Sequence, residues 1–303
     1  MRLLRIYVIV IIQGIQIVIK VDNVYKAFTY NKVLRGVSFE VKSGSIYGLI
    51  GRNGAGKTTL MNIMSGLMEA DSGSCSFTKN NGKSRVGYLP DLPEFYDYLT
   101  TDEYLDFLLM DENPKRRNEL LELVSLPPNV RLKTMSRGMR QRLGIAAVLV
   151  NNPDIILLDE PTSALDPSGR NDVKNILMKL KEDGKTIILS THILADMDSI
   201  CDKAGFLNDG VIVREVDVAE TRTETSEILV QFKKEPNLDE LYKYAPVMYV
   251  IDPCTIRIVI DENDKQVSQQ KALQGIAAQN IEISRISSAA LSLDSIFQEV
   301  CVG

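Results

Sequence analysis

The chain has 303 residues, a length that favours two domains and allows a large buried core in the first. Hydrophobic residues make up 45% and charged residues 25%, the balance of a globular protein, which excludes disordered and collagen-like chains. The 35 basic and 40 acidic side chains give a net charge of −5, so a dedicated nucleic-acid-binding protein is not expected.

The N-terminal segment, residues 1–19, is ambiguous. Two arginines precede a short apolar run from Ile6 to Ile12, which polar residues then interrupt. This start is similar to a signal peptide, but no small-residue cleavage site follows, and the Ile and Val content favours a strand. An overcalled start codon, an extra strand or adhesive arm, and a membrane anchor all remain open. No stretch of the chain approaches the ~20 apolar residues that span a bilayer, so another chain must do any spanning.

Strand and helix patterns alternate from Val18 onward. Three short apolar runs, Ile46 to Ile50, Ile155 to Leu158 and Thr186 to Ser190, predict strands buried on both faces of a parallel sheet. Helical patterns lie between them, so residues 20–220 are predicted to form an α/β domain.

A helical insert is predicted within about residues 91–135. Thr100 to Glu103 reads T-T-D-E, a capping box before the apolar residues of a helix.

The pattern changes near Glu220. Apolar residues alternate with polar ones around Val230 and Ile258, and helical stripes follow, including Leu273, Ile276 and Ala277. Residues 221–303 are therefore predicted to form a small α+β domain, joined by the polar stretch Thr221 to Ser226. The four cysteines form no C-x-x-C pair and the chain has one histidine, so neither a structural zinc site nor disulfides are expected.

A phosphate-binding loop is predicted directly after the first buried strand. The segment reads G-R-N-G-A-G-K-T, which matches G-x-x-x-x-G-K-[ST]. Glycines let successive N–H groups turn toward phosphates, and the following helix adds its dipole. Lys57 is predicted to reach the β- and γ-phosphates, and the Thr58 hydroxyl to ligate Mg²⁺. The predicted nucleotide-binding residues here are Gly51, Arg52, Asn53, Gly54, Ala55, Gly56, Lys57, Thr58 and Thr59.

Two adjacent carboxylates end the second buried strand, about a hundred residues after the phosphate loop. Asp159 suits Mg²⁺, directly or through water, and Glu160 is placed to polarise an attacking water as general base. A second anion site is predicted earlier, at Ser136 and the N–H of Gly138 in M-S-R-G-M-R-Q-R-L. A serine before a helix is also an ordinary cap.

Together these segments resemble the ATP-binding subunit of ABC transporters, from Val18 to about Glu220, with a fainter match in the tail. The family order is present: phosphate loop, signature, paired carboxylates, an S-A-L-D loop and a switch histidine. The resemblance implies a P-loop NTPase of ABC type, α/β, with a parallel-sheet core, an antiparallel β subdomain and a helical insert.

The resemblance also implies further site residues. His192, the only histidine, would hold the γ-phosphate, and Phe28 would stack on adenine, with Tyr25 and Tyr30 near enough to compete. The loop expected to communicate between subunits comprises Ser163, Ala164, Leu165 and Asp166.

Two positions depart from the family pattern. Asp91 stands where the family usually has Gln, which meets Mg²⁺ and the attacking water. Asp keeps an oxygen ligand, loses the N–H donor and adds charge, which predicts slower or differently coupled hydrolysis. The signature has Arg137 and Met139 in place of Gly and Gln. Together with the motifs described above, this gives four expected catalytic residues: Glu160, His192, Lys57 and Asp91.

The implied function is ATP- and Mg²⁺-dependent transport. ATP would lie between two copies, or between this subunit and a homologous one, beneath a separately encoded permease at the cytoplasmic face of the cell membrane. The tail, ending S-L-D-S-I-F at Ser292 to Phe297, is similar to the ATPases of exporters. The alternatives are a non-transport ATPase of the same fold and a module that senses ATP without hydrolysing it.

Overall fold

The computed structural model describes residues 17–78, 85–109, 113–163, 165–221, 227–261, 264–288 and 293–302. Residues 1–16 of the N-terminal segment, Ala164 and residues 222–226 of the polar stretch lie outside this range. The chain divides into two compact units, and the boundary between Glu215 and Val216 falls inside the last strand of the first unit. Across the described ranges, every helix is too short or too polar to cross a membrane.

The first unit alternates strands and helices. Its elements are β1 (Ile17–Phe28), β2 (Asn31–Lys42), β3 (Ile46–Ile50), α1 (Lys57–Ser65), β4 (Ser72–Phe77), β5 (Val86–Leu89), α2 (Thr101–Leu109), α3 (Pro114–Leu123), a 3₁₀ turn (Leu132–Thr134), α4 (Arg137–Leu149), β6 (Ile155–Asp159), α5 (Pro167–Glu182), β7 (Thr186–Thr191), α6 (Leu194–Ile200), β8 (Lys203–Asn208) and β9 (Val211–Asp217).

The main sheet of the first unit has the order β5-β6-β7-β3-β8-β9. Strands β5, β6, β7, β3 and β8 pair in parallel. The three predicted apolar strands are β3, β6 and β7, and all their residues are buried, which confirms the prediction. Strands β6 and β7 each extend one residue further than predicted, to Asp159 and Thr191. Their carboxyl ends lie side by side, because Asp159 is paired with Ser190.

A second, antiparallel sheet has the order β2-β1-β4 and belongs to the same core. Ile19, Val21 and Val24 of β1 are buried with Leu60 and Met64 of α1. This arrangement confirms the predicted parallel-sheet core with an antiparallel β subdomain.

The helical insert begins with the predicted capping box. The N–H of Thr100 donates to Oε2 of Glu103 at 2.7 Å, and the N–H of Glu103 donates to Oγ1 of Thr100 at 3.3 Å. These reciprocal bonds satisfy donors that the first turn of α2 leaves unpaired. Leu105, on the second turn of α2, is fully buried.

The second unit is an α+β domain, as predicted. Its elements are α7 (Val218–Thr221), β10 (Glu227–Phe232), α8 (Leu238–Tyr242), β11 (Met248–Asp252), β12 (Thr255–Val259), α9 (Lys265–Ala278), β13 (Ile283–Ser288), α10 (Leu293–Phe297) and a π-helical turn (Gln298–Val302).

The antiparallel sheet of this unit has the order β11-β12-β10-β13. With α8 and α9 it forms the β-α-β-β-α-β arrangement of ferredoxin-like domains. The predicted alternation is correct, since Val230 and Ile258 face a separate core. The predicted stripe on α9 is partly wrong: Leu273 and Ala277 are exposed. The buried pair is Ala272 and Ile276, one turn apart, so the helix presents a face rotated from the expected one.

Candidate nucleotide-binding site

The phosphate loop connects β3 to α1. Gly54 and Gly56 have φ values of 85° and 107°, in the left-handed region that disfavours other residues. A Cβ at Gly56 would lie 2.8 Å from Cδ2 of Leu34, and one at Gly51 would lie 2.5 Å from the carbonyl oxygen of Leu207. The glycine spacing of the motif is therefore imposed by both conformation and space.

Lys57 is buried in this loop, at the first position of α1. Its Nζ donates to the carbonyl oxygens of Gly51 at 2.8 Å and Arg52 at 3.3 Å, and lies 3.2 Å from Oε1 of Glu160. A cation is thus held among backbone groups at the N-terminus of a helix, the arrangement that binds phosphate.

Glu160 lies between two predicted site residues from other segments. Its Oε1 faces Lys57, and its Oε2 lies 2.9 Å from Nδ1 of His192. Its backbone has φ of 49°, unusual for a residue with a side chain. Two hydrogen bonds hold that conformation, from the N–H of Glu160 to Oγ and to the carbonyl oxygen of Ser190.

Asp159 is fully buried at the end of β6. Its Oδ1 accepts a hydrogen bond from Oγ of Ser190, whereas its Oδ2 has no hydrogen-bond partner among the described residues. A buried carboxylate oxygen without a partner is costly unless a cation or water satisfies it. Oxygen ligands of this type suit Mg²⁺, so the residues present fit a magnesium ion. Ser190 was not predicted as a site residue, and its only sequence signal is a hydroxyl inside an apolar strand.

Asp91 follows β5 and lies near both carboxylates. Burial raises its pKa above the usual value, and the charges of Asp159 and Glu160 add to that increase. The hydroxyl of Ser163 donates to Oδ1 of Asp91 at 3.4 Å, which together with the charge of Arg137 offsets part of the rise in pKa. The structure thus brings a third carboxylate to the pair at the strand end.

These residues open onto a cleft of about 490 Å³. This volume lies within the range of small-molecule sites. The cleft is lined by Asn31, Val33, Asn53, Gly54, Gly56, Lys57, Thr58, Thr59, Asp91 and Glu160. Asn31 and Val33, on β2, were not predicted. Phe28, His192, Ser136 and Gly138 are not among the described lining residues.

The three aromatic candidates for base stacking differ in their surroundings. Tyr25 packs against Gly36: a Cβ built on Gly36 would lie 2.7 Å from the hydroxyl of Tyr25. Tyr30 is 98% exposed, and Phe28, at the end of β1, is 45% exposed. The ammonium of Lys26 lies 5.7 Å from the centre of the Phe28 ring. Tyr25 is 44% exposed, close to the value for Phe28, so the contact with Lys26 rather than accessibility distinguishes Phe28 from Tyr25.

The signature segment begins α4. Oγ of Ser136 accepts a hydrogen bond from the N–H of Met139 at 3.2 Å, the ordinary cap that the sequence also allowed. A Cβ at Gly138 would lie 3.6 Å from Cδ2 of Leu165, so the predicted communication loop packs against this turn. In the same loop, Oδ1 of Asp166 caps α5 by accepting from the N–H of Gly169. Ala164 lies outside the described residues.

Comparisons with known proteins identify the family. The sequence profile of the ABC transporter family matches residues 34–163. The bacitracin transport ATP-binding protein BcrA of Enterococcus faecalis is 37% identical over 216 residues, which cover 67% of this chain and 70% of BcrA. The chain belongs to the ATP-binding subunits of ABC transporters. The first unit of this ABC subunit is thus an ABC-type ATPase domain.

Further relatives are also named as ATP-binding proteins. An uncharacterized ABC transporter ATP-binding protein of Synechocystis, sll0415, is 40% identical over 202 residues, or 62% of this chain. The ABC subunit spans only 57% of the length of sll0415. The linearmycin resistance ATP-binding protein LnrL of Bacillus subtilis is 32% identical, over 64% of this chain and 68% of LnrL.

A solved structure is similar to about two thirds of the chain. It is the dimeric, post-hydrolysis ATP-binding cassette MJ0796 bound to ADP and Pi. That cassette is 28% identical, with a TM-score of 0.59 over 66% of this chain and 98% of the cassette.

Proposed function

We propose that this ABC subunit binds and hydrolyses ATP with Mg²⁺ and thereby powers an exporter whose permease is a separate chain. It would act at the cytoplasmic face of the membrane, paired with a second copy or a homologous ATPase subunit. The observation that carries the proposal is the carboxylate of Glu160, held between Lys57 and His192 beside the phosphate cleft.

The nucleotide is held by the loop and by one aromatic ring. The N–H groups of residues 51–59 cradle the phosphates, and Lys57 reaches the β- and γ-phosphates. Phe28 stacks on the adenine. A γ-phosphate offers Lys57 a partner with more charge than Glu160, which frees one oxygen of that carboxylate.

Oxygen atoms from three segments would hold the metal. The unpartnered Oδ2 of Asp159, the hydroxyl of Thr58 and the carboxylate of Asp91 are the proposed ligands. Mg²⁺, when bound, neutralises charge that develops on the phosphate oxygens.

Hydrolysis uses Glu160, which follows β6, and His192, which follows β7. Glu160 accepts a proton from the attacking water as general base, a role worth about 10²–10⁴ in rate. His192 orients Glu160 through the 2.9 Å contact and holds the γ-phosphate from the same edge of the sheet.

A second copy completes each site. Ser136 and the N–H of Gly138 would reach the γ-phosphate bound by the opposite subunit, and residues 163–166 would report its state. ATP then favours the closed pair, and its hydrolysis favours the open one, a ligand-driven population shift. Support comes from the dimeric state of the MJ0796 cassette.

The transport assignment rests on relatives and on the tail. BcrA is named for bacitracin transport and LnrL for linearmycin resistance. Residues 221–303 are proposed as an accessory domain of the exporter type. The segment after Asp91 and the helical insert would contact the permease.

The test uses a tagged Glu160→Gln variant, which should bind ATP without hydrolysing it. The protein is expressed in its native cell and isolated from detergent-solubilised membranes with ATP. A polytopic membrane protein recovered in near-equal amount supports the exporter. Recovery with ribosomes, with nucleic acid or alone would contradict it and favour a non-transport ATPase. Lys57→Ala is the control, since it should lose ATP and the ATP-dependent pairing. Wild-type protein that binds ATP but releases no phosphate, even with its permease, would favour an ATP-sensing module.

A further inference from the structure

A groove lies beside the nucleotide cleft, between the segment after Asp91, α2 and α4. Its volume is about 260 Å³. Its lining is mainly apolar and includes Pro93, Phe95, Tyr104, Leu108 and Val148. The segment after Asp91 and the helical insert, which form its walls, are the surfaces that the proposed function assigns to contact with the permease.

Two aromatic rings on the groove wall are in contact with each other. Phe95 and Tyr104 meet edge to face, with ring centres 5.2 Å apart at 72°. The guanidinium of Arg140, on α4, lies 5.2 Å from the centre of the Phe95 ring. Phe95 therefore links the groove wall to Arg140.

Arg140 is held by further contacts. Its Nη2 lies 2.9 Å from Oδ1 of Asp97, and its Nη1 donates to the carbonyl oxygen of Leu132 at 3.0 Å. A planar guanidinium stacks and donates in fixed directions, which an ammonium cannot reproduce.

The same residue is bonded to the signature turn. The N–H of Arg140 donates to the carbonyl oxygen of Ser136 at 3.0 Å. That bond is the ordinary i→i−4 backbone bond of the first turn of α4. The link that depends on the arginine side chain is its bond to Leu132, four residues before Ser136.

We infer that Arg140 is a positioning residue that couples occupation of the groove to the placement of Ser136. A permease segment that moves Phe95 moves the guanidinium, and the guanidinium shifts the turn from Leu132 to Arg140. Ser136 is then presented to the nucleotide of the opposite copy. This inference rests on the proposed function.

The test compares Arg140→Met with Arg140→Lys and with a matched control. Met keeps the apolar stem and removes both the stacking plane and the donors; Lys keeps the charge. The control is Arg131→Met, an arginine of the same region that donates to the carbonyl oxygen of Tyr98 and pairs with Glu103. Phosphate release is measured for the isolated subunit and for the complex with the permease copurified in the experiment above.

We expect Arg140→Met to lose about tenfold of the stimulation by the permease, within the usual range of coupling between sites. The rate of the isolated subunit should fall by a smaller factor than the stimulation does, and Arg131→Met should match wild type in both rates. Arg140→Lys should restore little of the stimulation. Equal losses in both rates, or full stimulation of Arg140→Met, would overturn the inference while the proposed function stands. A wild-type complex without stimulation would overturn both.

A second variant tests the same contact in case Arg140→Met fails to fold. Phe95→Leu removes the ring from the other side of the contact, and it should show the same loss of stimulation. The double variant Phe95→Leu/Arg140→Met should lose no more than either single variant, because both remove one connection. Additive losses would show that the two residues act independently and would overturn the inference.

Discussion

Gly56 illustrates how strongly the phosphate loop constrains single residues. It combines a left-handed φ of 107° with a neighbour 2.8 Å from the position of a Cβ, whereas Gly54 has φ of 85° and open space around it. Gly56 is required by conformation and by packing, whereas Gly54 is required by conformation alone.

We predict that Gly56→Ala lowers the free energy of unfolding by about 1–3 kcal/mol and weakens ATP binding at least ~10-fold, because the backbone must move away from Leu34. Gly54→Ala is the matched control and should lose less on both counts. Chemical denaturation and nucleotide titration measure the two quantities. Equal effects in the two variants would show that backbone strain alone accounts for the requirement.

Asp91 is the second residue with a distinct prediction. Its pKa is raised by burial and by Asp159 and Glu160, so its charge opposes folding at neutral pH. The stability that such a carboxyl contributes in its protonated form is fully present below its unfolded-state pKa of about 3.9. It is lost as pH rises through its higher pKa in the folded state. Asp91→Gln should therefore be more stable than wild type at pH 7, and the difference should vanish near pH 4. Urea unfolding across this pH range measures it.

Asp71→Asn provides the control of opposite sign. The pKa of Asp71 is lowered by the ammonium of Lys26 and by the N–H of Ala27. Removing this charge should reduce stability at pH 7, and the reduction should fade as pH falls below the usual range for Asp. If both variants changed stability in the same direction at pH 7, the electrostatic account of Asp91 would be wrong.

At the scale of elements, the insert depends on its capping box. Thr100 is buried, and its two reciprocal bonds with Glu103 start α2. We predict that Thr100→Ala costs about 1 kcal/mol of unfolding free energy, the usual value of an N-cap. Thr100→Ser keeps the hydroxyl and should cost clearly less. The denaturation midpoint measures both, and an Ala variant as stable as the Ser variant would argue against the box.

At the scale of the whole molecule, the two units have separate cores. The first contains Leu157 of β6, and the second contains Ile256 of β12. We predict that Ile256→Ala lowers the unfolding free energy of the second unit by about 2–5 kcal/mol, as for other buried Ile. ATP affinity should change less than ~2-fold, because the phosphate loop lies in the first unit.

Calorimetry on a Glu160→Gln background measures this without consuming ATP. ATP at 100 times its dissociation constant should stabilise the transition of the first unit by about 2.7 kcal/mol. Leu157→Ala, two residues before Asp159, is the control and should lower the temperature of the transition of the first unit. A loss of ATP affinity in Ile256→Ala equal to that in Leu157→Ala would contradict the separation.

The amino-acid sequence by itself determined those features that depend on neighbouring residues only. The phosphate loop after β3, the carboxylates after β6 and the capping box of α2 each depend on neighbouring residues, because glycine conformation, strand burial and helix capping act within one short segment. The family resemblance added Phe28 and His192, which composition and periodicity do not single out.

Only the tertiary structure placed Glu160 between Lys57 and His192 and joined Ser190 to Asp159. These contacts depend on the strand order β5-β6-β7-β3-β8-β9, which sets the carboxyl ends of distant segments side by side. The same limit explains the error on α9, where Leu273 is exposed and Ala272 is buried. Periodicity shows that a helix has an apolar side, but the sheet that packs against it decides which residues that side presents.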